Sequence, residues 1–600
     1  MARIDARSAY LALAVVALGL SYLLFTNQQY FSVSGSLGIF AIALVALVSF
    51  LAPSRLGRDA KLEGAVLYAF AAIAIVLAIL SAYEFVVDVP APNIVQSVST
   101  PLFLVSAASV FSIIAIHYLR KSVRKLEGYR RYAAVLLGVA AIALIAYFIM
   151  YAFVRLNWHG VDELAFNYYA SYLFVHGQNP YTTSMEYITT KLGVFPTVLL
   201  NGSYEYTYDY PALSFIVFAF IPLLGITSFM SYIAIVIFLS LLAAYIVYDR
   251  SGGNNAVLLP MLFWFMASYG LIGVVTPYLA VSMFVLLAYL ERRRVLLSGA
   301  LLGLAASTTQ LAWFALPLMY ILALKEHGMR NALKCAGMSA LVFLIVNVYF
   351  IAWSPNVTLN NLFVLLLATK LPFYGTNIMQ FLVPFYPVSY WYPTAISVIT
   401  ILSIMVLFYL DPDRFRPLVG IMPAMIFFLS WRNISIYGLS FVPLILAVYY
   451  SHERKGKEHR HRIKARYALA FVVVASLVLA AISHDEYLRN RSIAIDSITP
   501  VLYPSSVYGY QNGYALGELR INVSSNADYQ QNVSFYIVSQ SPNLQGYVLS
   551  VQLPKLPAHE SVAYNISYRL PLVNNHTKIF VTAFDERYIA SKELDLTQLR

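Results

Sequence analysis

Apolar stretches long enough to cross a membrane recur along this chain from Leu11 to Leu479, and they limit its fold more than any other feature. A helix needs about 20 mostly apolar residues to cross the bilayer core. Of the 600 residues, 60% are hydrophobic and only 11% are charged, whereas a soluble chain carries about 25% Asp, Glu, Lys and Arg. The single cysteine, Cys335, excludes an internal disulfide. We therefore expect a polytopic α-helical membrane protein.

The apolar stretches predict about fifteen membrane segments at the usual span length. They lie near residues 9–26, 37–53, 63–82, 100–118, 132–154, 229–248, 255–270, 273–290, 296–325, 332–353, 393–410, 417–431, 435–450 and 467–483. The stretch at 296–325 is expected to be a hairpin of two short helices. A further apolar segment at 211–224 is too short to span, so we expect it to lie in the membrane interface or to dip into it.

The placement of the basic residues predicts the topology. Residues 1–483 hold 31 basic and 18 acidic side chains, whereas residues 484–600 hold 9 and 10. The excess lies in short loops such as 120–125, 292–294 and 454–466, which is typical of cytoplasmic helix ends. We therefore expect a multi-pass cell-membrane protein with its N-terminus in the cytoplasm and its C-terminus outside. Because the charge is divided among hydrophobic spans, anionic lipid headgroups explain it better than nucleic acid does.

The N-glycosylation sequons agree with this orientation. They stand at Asn201, Asn356, Asn433, Asn490, Asn522, Asn532, Asn565 and Asn575. Each of them falls in a segment that the charge distribution places outside, where a glycan can be attached.

The pattern changes after the last span. From about Ala515 apolar and polar residues alternate, as in Leu519, Ile521 and Val523, which indicates strands with one buried face. Turn-rich pieces separate the strands, so we expect an extracytoplasmic β-sandwich of the immunoglobulin-like type at 484–600 with a structural or binding role. Before it we expect a four-helix extension at 1–125 and a membrane domain at 126–483.

The long outside loop at 155–210 holds the most informative polar residues. Asp162 is expected to cap a helix with an aromatic and apolar face, and Gly177 is expected to end it. We expect this helix to lie along the membrane surface. Asp162 and Glu163 have two interpretations: they stabilise the positive end of the helix, or they are catalytic acids. Asp209, which precedes Tyr210, is equally a second acid or a residue at the start of a helix.

Several segments together resemble the GT-C superfamily of integral membrane glycosyltransferases, above all its polyprenol-phosphate-mannose-dependent branch and archaeal-type relatives. The acidic pair follows an odd-numbered span, and its aromatic helix leads into Gly177-Gln-Asn-Pro-Tyr181. The segment Tyr208-Asp-Tyr-Pro-Ala-Leu213 then opens an apolar helix. Downstream, the Gly-rich stretch Gly299–Gln310 looks like the family's helix hairpin, and Leu429–Asn433 with Tyr437 resembles a late outside turn. The likeness covers roughly residues 130 to 450.

The resemblance implies transfer of a sugar, mannose in that branch, from a polyprenyl or dolichyl phosphate to an acceptor hydroxyl at the outer membrane face. The residue matching the family's catalytic base is Asp162, with Glu163 as the alternative. Residues expected to bind the donor phosphate or substrate are Arg432, His159, Lys370, Asp209, Tyr210 and Gln310. Arg432 is the first choice for the phosphate, and its alternative is a cation that snorkels to lipid headgroups.

No metal or other cofactor is expected, because neither Cys nor paired His supplies metal-ligand spacing. The partners implied are the lipid-linked sugar donor, the bilayer and an acceptor that is a glycan, lipid or protein. The rival hypothesis is a non-catalytic membrane scaffold that displays the outer sandwich, or a lipid or solute transporter. Transporters usually contain repeated halves, and the sequence has no such repeat.

Overall fold

The computed structural model describes the protein from Val161 onward, with gaps. The described residues are 161–194, 196–197, 204–226, 230–250, 274–364, 374–375, 386, 388–430, 432–433, 437–438, 440–450, 465–490, 492–504, 514–539, 547–550, 553–572, 578–584 and 589–595. The extension predicted at 1–125 and the spans predicted at 132–154 and 255–270 lie outside these residues.

The described part before residue 491 is mainly helical. Its α-helices are α1 Asp162–Val175, α2 Glu186–Leu192, α3 Leu213–Ile216, α4 Phe220–Leu223, α5 Met230–Arg250, α6 Leu286–Leu290, α7 Val295–Ala306, α8 Leu316–His327, α9 Met329–Trp353, α10 Pro355–Val364, α11 Tyr392–Leu410, α12 Pro412–Phe415, α13 Leu418–Leu429, α14 Val442–Tyr450 and α15 Ala465–Asn490. A π-helix, Tyr278–Val285, leads into α6, and a 3₁₀ helix, Gln310–Phe314, lies between α7 and α8. Two short strands, β1 Tyr374–Gly375 and β2 Arg432–Asn433, pair in parallel.

Three of the described helices are long and apolar enough to cross a membrane: Met329–Trp353, Tyr392–Leu410 and Phe471–Arg489. Each overlaps a span expected from the sequence. The hairpin expected at 296–325 is present as α7 and α8, and the interfacial segment expected at 211–224 forms the two short helices α3 and α4. The helix α10 has no counterpart among the expected segments.

The hairpin helix α7 packs very closely against α9. A Cβ atom at Gly299 would lie 2.5 Å from the carbonyl oxygen of Cys335, and one at Gly303 would lie 2.6 Å from that of Ser339. Small residues thus repeat every four positions on both helices, which lets two backbones approach within a membrane. This packing explains the Gly-rich stretch in structural terms.

An ion-pair cluster lies at the end of α7 and α8 away from the turn that joins them. Glu326 accepts from Arg292 Nε at 3.2 Å and from Arg416 Nη1 at 2.6 Å. Arg416, which is 6% exposed, also pairs with Asp413 at 2.9 Å. The cluster therefore brings the loop after α6, the C-terminal end of α8 and the segment between α11 and α13 to the same end of the helical region.

The C-terminal part is formed by two antiparallel sheets. Its strands are β3 Ile493–Pro504, β4 Tyr514–Ser525, β5 Ser534–Ser539, β6 Tyr547–Ser550, β7 Ser561–Leu572, β8 Lys578–Phe584 and β9 Ile589–Asp595. One sheet has the order β3-β4-β7 and the other β6-β5-β8-β9. Alternate residues of both sheets, such as Ile521, Phe535 and Val581, form one buried apolar cluster. The alternation expected from Leu519 to Val523 is confirmed.

Candidate functional site

The helix α1 carries the acidic pair, with bounds close to those expected. It begins at Asp162, and the residue before it, Val161, makes no side-chain capping bond. Asp162 is therefore the first helical residue, and the prediction that it is the N-cap is wrong by one position. At the other end Gly177 adopts a φ of 72°, and its N–H donates to the Phe174 carbonyl at 3.0 Å. The helix stop expected at Gly177 is confirmed.

Glu163 is buried, with 4% of its surface exposed, and both of its carboxylate oxygens accept hydrogen bonds. The backbone N–H of Val275 donates to Oε2 at 2.8 Å, and that of Thr276 donates to Oε1 at 3.0 Å. Asn167 Nδ2 also donates to Oε1 at 2.8 Å. The helical segment that contains the π-helix begins at Thr276. The carboxylate therefore lies at a helix N-terminus, where unpaired N–H groups and the helix dipole favour negative charge. Glu163 thus fixes α1 to that helix.

A buried polar chain continues from Asn167 to the segment before α3. The Tyr208 hydroxyl donates to Asn167 Oδ1 at 2.6 Å. The Ser171 hydroxyl lies within 2.8 Å of the Asn167 carbonyl and 3.0 Å of the Phe215 carbonyl. Tyr208, Asn167 and Ser171 have no exposed surface. These bonds hold α1 against the Tyr208–Leu213 segment.

Asp162 is more accessible than Glu163. Its side chain is half-buried, and Oδ2 accepts a hydrogen bond from the Thr197 hydroxyl at 2.8 Å. Its Oδ1 accepts from the backbone N–H of Glu163 at 2.9 Å. The carboxylate therefore has a fixed orientation, and the residue is partly open to solvent.

Tyr210 lies close to Asp162, Glu163 and Asp209. Burial raises the pKa of its hydroxyl well above the usual value, and the nearby charges of Asp209 and Glu163 raise that pKa further. Tyr437 and Asp162 act in the same direction. Tyr210 thus remains a neutral hydrogen-bond donor near three carboxylates, those of Asp162, Glu163 and Asp209.

The turn after α7 and the helix α9 both form hydrogen bonds to the Tyr208–Leu213 segment. Gln310 Nε2 donates to the backbone carbonyl of Asp209. Asn347, buried within α9, accepts from the backbone N–H of Ala212 at 2.9 Å. Gln310, which the resemblance assigns to substrate binding, is therefore also a structural tie between the hairpin and the Tyr208–Leu213 segment.

The segment after α13 approaches Tyr210 as well. The strand β1, Tyr374–Gly375, pairs in parallel with β2, Arg432–Asn433. Tyr437, which follows β2, is close enough to Tyr210 to raise its pKa. The segments that carry the GT-C resemblance are thus neighbours in space, although they span residues 162 to 437 in sequence.

Only some of the site residues predicted from the sequence lie in the part of the chain that the structure describes. Asp162, Glu163, Asp209, Tyr210 and Gln310 lie together, whereas His159 and Lys370 lie outside the described residues. Arg432 lies in β2, where its backbone pairs with Tyr374.

The supporting residues Asn167, Thr197 and Asn347 are not among those predicted from the sequence. The sequence could have indicated Asn347, because an amide within an otherwise apolar membrane helix usually has a specific hydrogen-bond partner. The sequence could also have indicated Asn167, since it stands four residues after Glu163, a spacing at which side chains on a helix meet.

The buried Glu163 predicts a pH dependence of stability. Burial raises its pKa from 4.5 to about 7, although the hydrogen bonds from Thr276 and Val275 oppose the change. The folded state therefore retains a proton that the unfolded state releases, so stability falls as pH rises from about 4.5 to about 7 and is constant above. The loss is on the order of 3 kcal/mol at 1.36 kcal/mol per pKa unit.

We expect Glu163→Gln to flatten this part of the stability profile. Melting temperatures of the detergent-solubilised protein between pH 4.5 and 8 measure the effect. Glu186→Gln is the matched control, because Glu186 is exposed at the start of α2, and its profile should follow that of wild type. Equal pH slopes in wild type and Glu163→Gln would contradict the assignment.

Neither a metal centre nor a known relative accounts for these residues. Among the described residues, no group of three or more His, Cys, Asp or Glu side chains is arranged to hold a metal ion. Comparison with protein-family models, with curated proteins and with solved structures finds no match to this chain.

Proposed function

We propose that the chain is an integral membrane glycosyltransferase of the GT-C type. It moves a sugar, mannose in the branch it resembles, from a polyprenyl or dolichyl phosphate donor to an acceptor hydroxyl at the outer face of the cell membrane. One observation carries the proposal. The acidic pair of α1, the Tyr208–Leu213 segment, the turn after α7 and Tyr437 meet at one end of the helical region.

In this proposal Asp162 is the general base. Its carboxylate accepts the proton of the acceptor hydroxyl while the hydroxyl oxygen bonds to the anomeric carbon of the sugar. The bond from that carbon to the phosphate oxygen breaks, and the polyprenyl phosphate leaves with the electron pair. Asp162 suits this role better than Glu163, because Glu163 is buried whereas Asp162 is only half-buried.

Glu163 and Tyr210 support the reaction without transferring the proton. Glu163 anchors α1 and so holds Asp162 in place, as precise positioning of a catalytic group requires. Tyr210 offers a neutral O–H donor beside the carboxylates. The departing phosphate needs a cation or donors near the interface, and Arg432 in β2 is the candidate for this contact.

The proposed orientation follows from the two ends of the helical region. The end with Arg292, Glu326 and Arg416 corresponds to the basic loops assigned to the cytoplasm. The acidic site then faces outside, as does the β region that follows α15. Seven strands in sheets of three and four with a shared apolar core support the proposal that this region is an immunoglobulin-like sandwich.

A transfer assay tests the proposal. Purified protein in lipid nanodiscs receives polyprenyl phosphate that carries radiolabelled mannose, glucose or N-acetylglucosamine, together with hexose oligosaccharides and lipid extracts as acceptors. We expect the wild type to transfer label from at least one donor, and Asp162→Asn to lose that transfer. If the wild type transfers none of the sugars, the result contradicts the enzyme and favours the scaffold.

A further inference from the structure

Three tyrosines from α1 and α2 form a surface, the tyrosine face: Tyr169, Tyr172 and Tyr187. The rings of Tyr169 and Tyr172 stack with centroids 6.3 Å apart and planes 10° apart, and Tyr187 lies 5.6 Å from Tyr169. Lys191 Nζ lies 5.5 Å from the centre of the Tyr187 ring. The three rings therefore form a shared surface with a cation at its edge.

The tyrosine face differs from the surfaces of this protein that suit lipid tails. Tyr172 is 43% exposed and Tyr187 is 57% exposed, and their exposed neighbours Glu186, Thr190 and Lys191 are polar. By contrast, the exposed residues of α9 and α15 are mostly aliphatic or Phe: Leu341, Leu344, Ile345, Val348, Phe471, Val474, Leu477 and Val478. A partner of the tyrosine face must therefore offer both C–H surfaces and hydrogen-bonding groups.

The tyrosine face lies partly on the same helix as the proposed base, Asp162. An α-helix rises about 1.5 Å per residue and completes a turn in 3.6 residues, so Tyr169 lies two turns and about 10 Å along α1 from Asp162 on the same face. Tyr172 lies about 15 Å from Asp162 by the same measure. The loop after α2 returns to Asp162, since the Thr197 hydroxyl donates to its carboxylate. Ala165 and Phe166, which lie between Asp162 and Tyr169 on α1, are buried, so the loop that carries Thr197 connects the tyrosine face with Asp162.

We propose that the tyrosine face binds the acceptor, and that the acceptor is a glycan built of hexopyranose units. A hexopyranose ring presents axial C–H groups on one face, which pack on an aromatic ring, and hydroxyls around its edge, which suit Lys191 and His176. The distance from Tyr172 to Asp162 accommodates two to three such units, with the terminal hydroxyl at Asp162. This inference names the acceptor class for the proposed function and rests on it.

Binding measurements test the tyrosine face separately from catalysis. Linear oligosaccharides of mannose, glucose and galactose, one to four residues long, are titrated into the protein in nanodiscs by calorimetry. We expect at least one series to bind, and to bind more tightly as length increases to three residues. The double variant Tyr172→Ala/Tyr187→Ala should weaken that binding at least tenfold, since each ring–sugar contact contributes a factor of several.

Two controls separate ring stacking from other effects. Tyr172→Phe keeps the ring and should bind within about threefold of wild type, whereas a hydroxyl-specific contact would be lost. Tyr529→Ala removes a tyrosine of similar exposure, 46%, from the β region and should leave binding unchanged. If no oligosaccharide binds, or if the double variant binds as wild type does, the proposal is overturned.

A bilayer contact is the competing occupant, because tyrosines also gather at membrane interfaces. The only natural cysteine, Cys335, is buried, so a cysteine introduced by Tyr172→Cys can be labelled selectively with a fluorophore. We expect brominated lipids in the nanodisc to quench this label much less than one on Leu344→Cys, which lies on the exposed side of α9. Equal quenching would assign the face to the bilayer.

Failure of this inference differs from failure of the proposed function. If the double variant reduces glycan binding while the wild type transfers no sugar, the tyrosine face is a glycan site in a protein that is not a transferase. If the wild type transfers sugar and the double variant leaves the acceptor KM unchanged, the enzyme stands and the tyrosine face is overturned.

Discussion

Asp162→Asn is expected to reduce the turnover rate of sugar transfer by about 10²–10⁴-fold, the usual contribution of a positioned general base. Asparagine has nearly the same shape as aspartate and still accepts the hydrogen bond that Thr197 donates at 2.8 Å. It cannot, however, take a proton from the acceptor hydroxyl. The fold should therefore be preserved while the chemical step is lost. The measurement is the initial rate of label transfer at saturating donor and acceptor.

Two other acidic positions show whether the loss is specific. Glu560→Gln removes an exposed carboxylate of the β region and should transfer at the wild-type rate. Glu163→Gln replaces an oxygen that accepts the Val275 or Thr276 N–H with an NH₂ group, so it weakens the anchor of α1. We expect it to lower both the rate and the melting temperature at low pH.

The assignment of the base to Asp162 has a clear alternative outcome. If Glu163→Gln abolishes transfer without changing stability, and Asp162→Asn retains most of the activity, then Glu163 is the base and Asp162 is not. The two side chains are adjacent in sequence, but only the structure distinguishes them, because one carboxylate is buried against a helix N-terminus and the other is half-exposed.

The sequence predicted the helical elements well where local signals were strong. The helix α9 begins after Gly328 and holds a long apolar run, and α11 ends where Asp411-Pro412 interrupts another. In the β region, β4, β5, β7 and β8 were visible because their buried residues alternate. The strand β3 was missed because register shifts between Ile495 and Ser497 and between Val501 and Leu502 break its alternation. The strand β9 was missed because most of its residues, such as Lys592 and Glu593, are polar or charged.

The site was predicted by its residues but not by its contacts. The acidic pair could be identified because it follows a span and opens a helix. The bond between Glu163 and Thr276 joins residues 113 positions apart, and that between Asn347 and Ala212 joins residues 135 apart. Such pairs depend on how the helices pack, and no local pattern specifies that packing. The different roles of Asp162 and Glu163 therefore required the structure.

The close packing of α7 on α9 gives the second prediction of large effect. Gly303→Ala would place a methyl group 2.6 Å from the Ser339 carbonyl oxygen, and Gly299→Ala would place one 2.5 Å from that of Cys335. Because both obstacles are backbone atoms, they cannot move as a side chain would. The two helices must separate by about 1 Å, and loss of their contacts should cost about 1–3 kcal/mol for either change.

The matched control and a double variant make this prediction decisive. Gly337 also lies within α9, but a Cβ atom there would meet nothing within 4 Å, so Gly337→Ala should stabilise the helix by about 0.5–1 kcal/mol. One separation of the helices relieves both clashes, so the double variant Gly299→Ala/Gly303→Ala should cost less than the sum of the single changes. Thermal unfolding in detergent measures all four variants. Additive losses, or a loss at Gly337→Ala equal to that at Gly303→Ala, would mean that glycine matters at these positions for backbone flexibility and not for the approach of α7 to α9.

If close approach of α7 and α9 is the cause, Gly299→Ala and Gly303→Ala should also weaken sugar transfer. The reason is that α7 leads into the turn in which Gln310 holds Asp209 beside Tyr210.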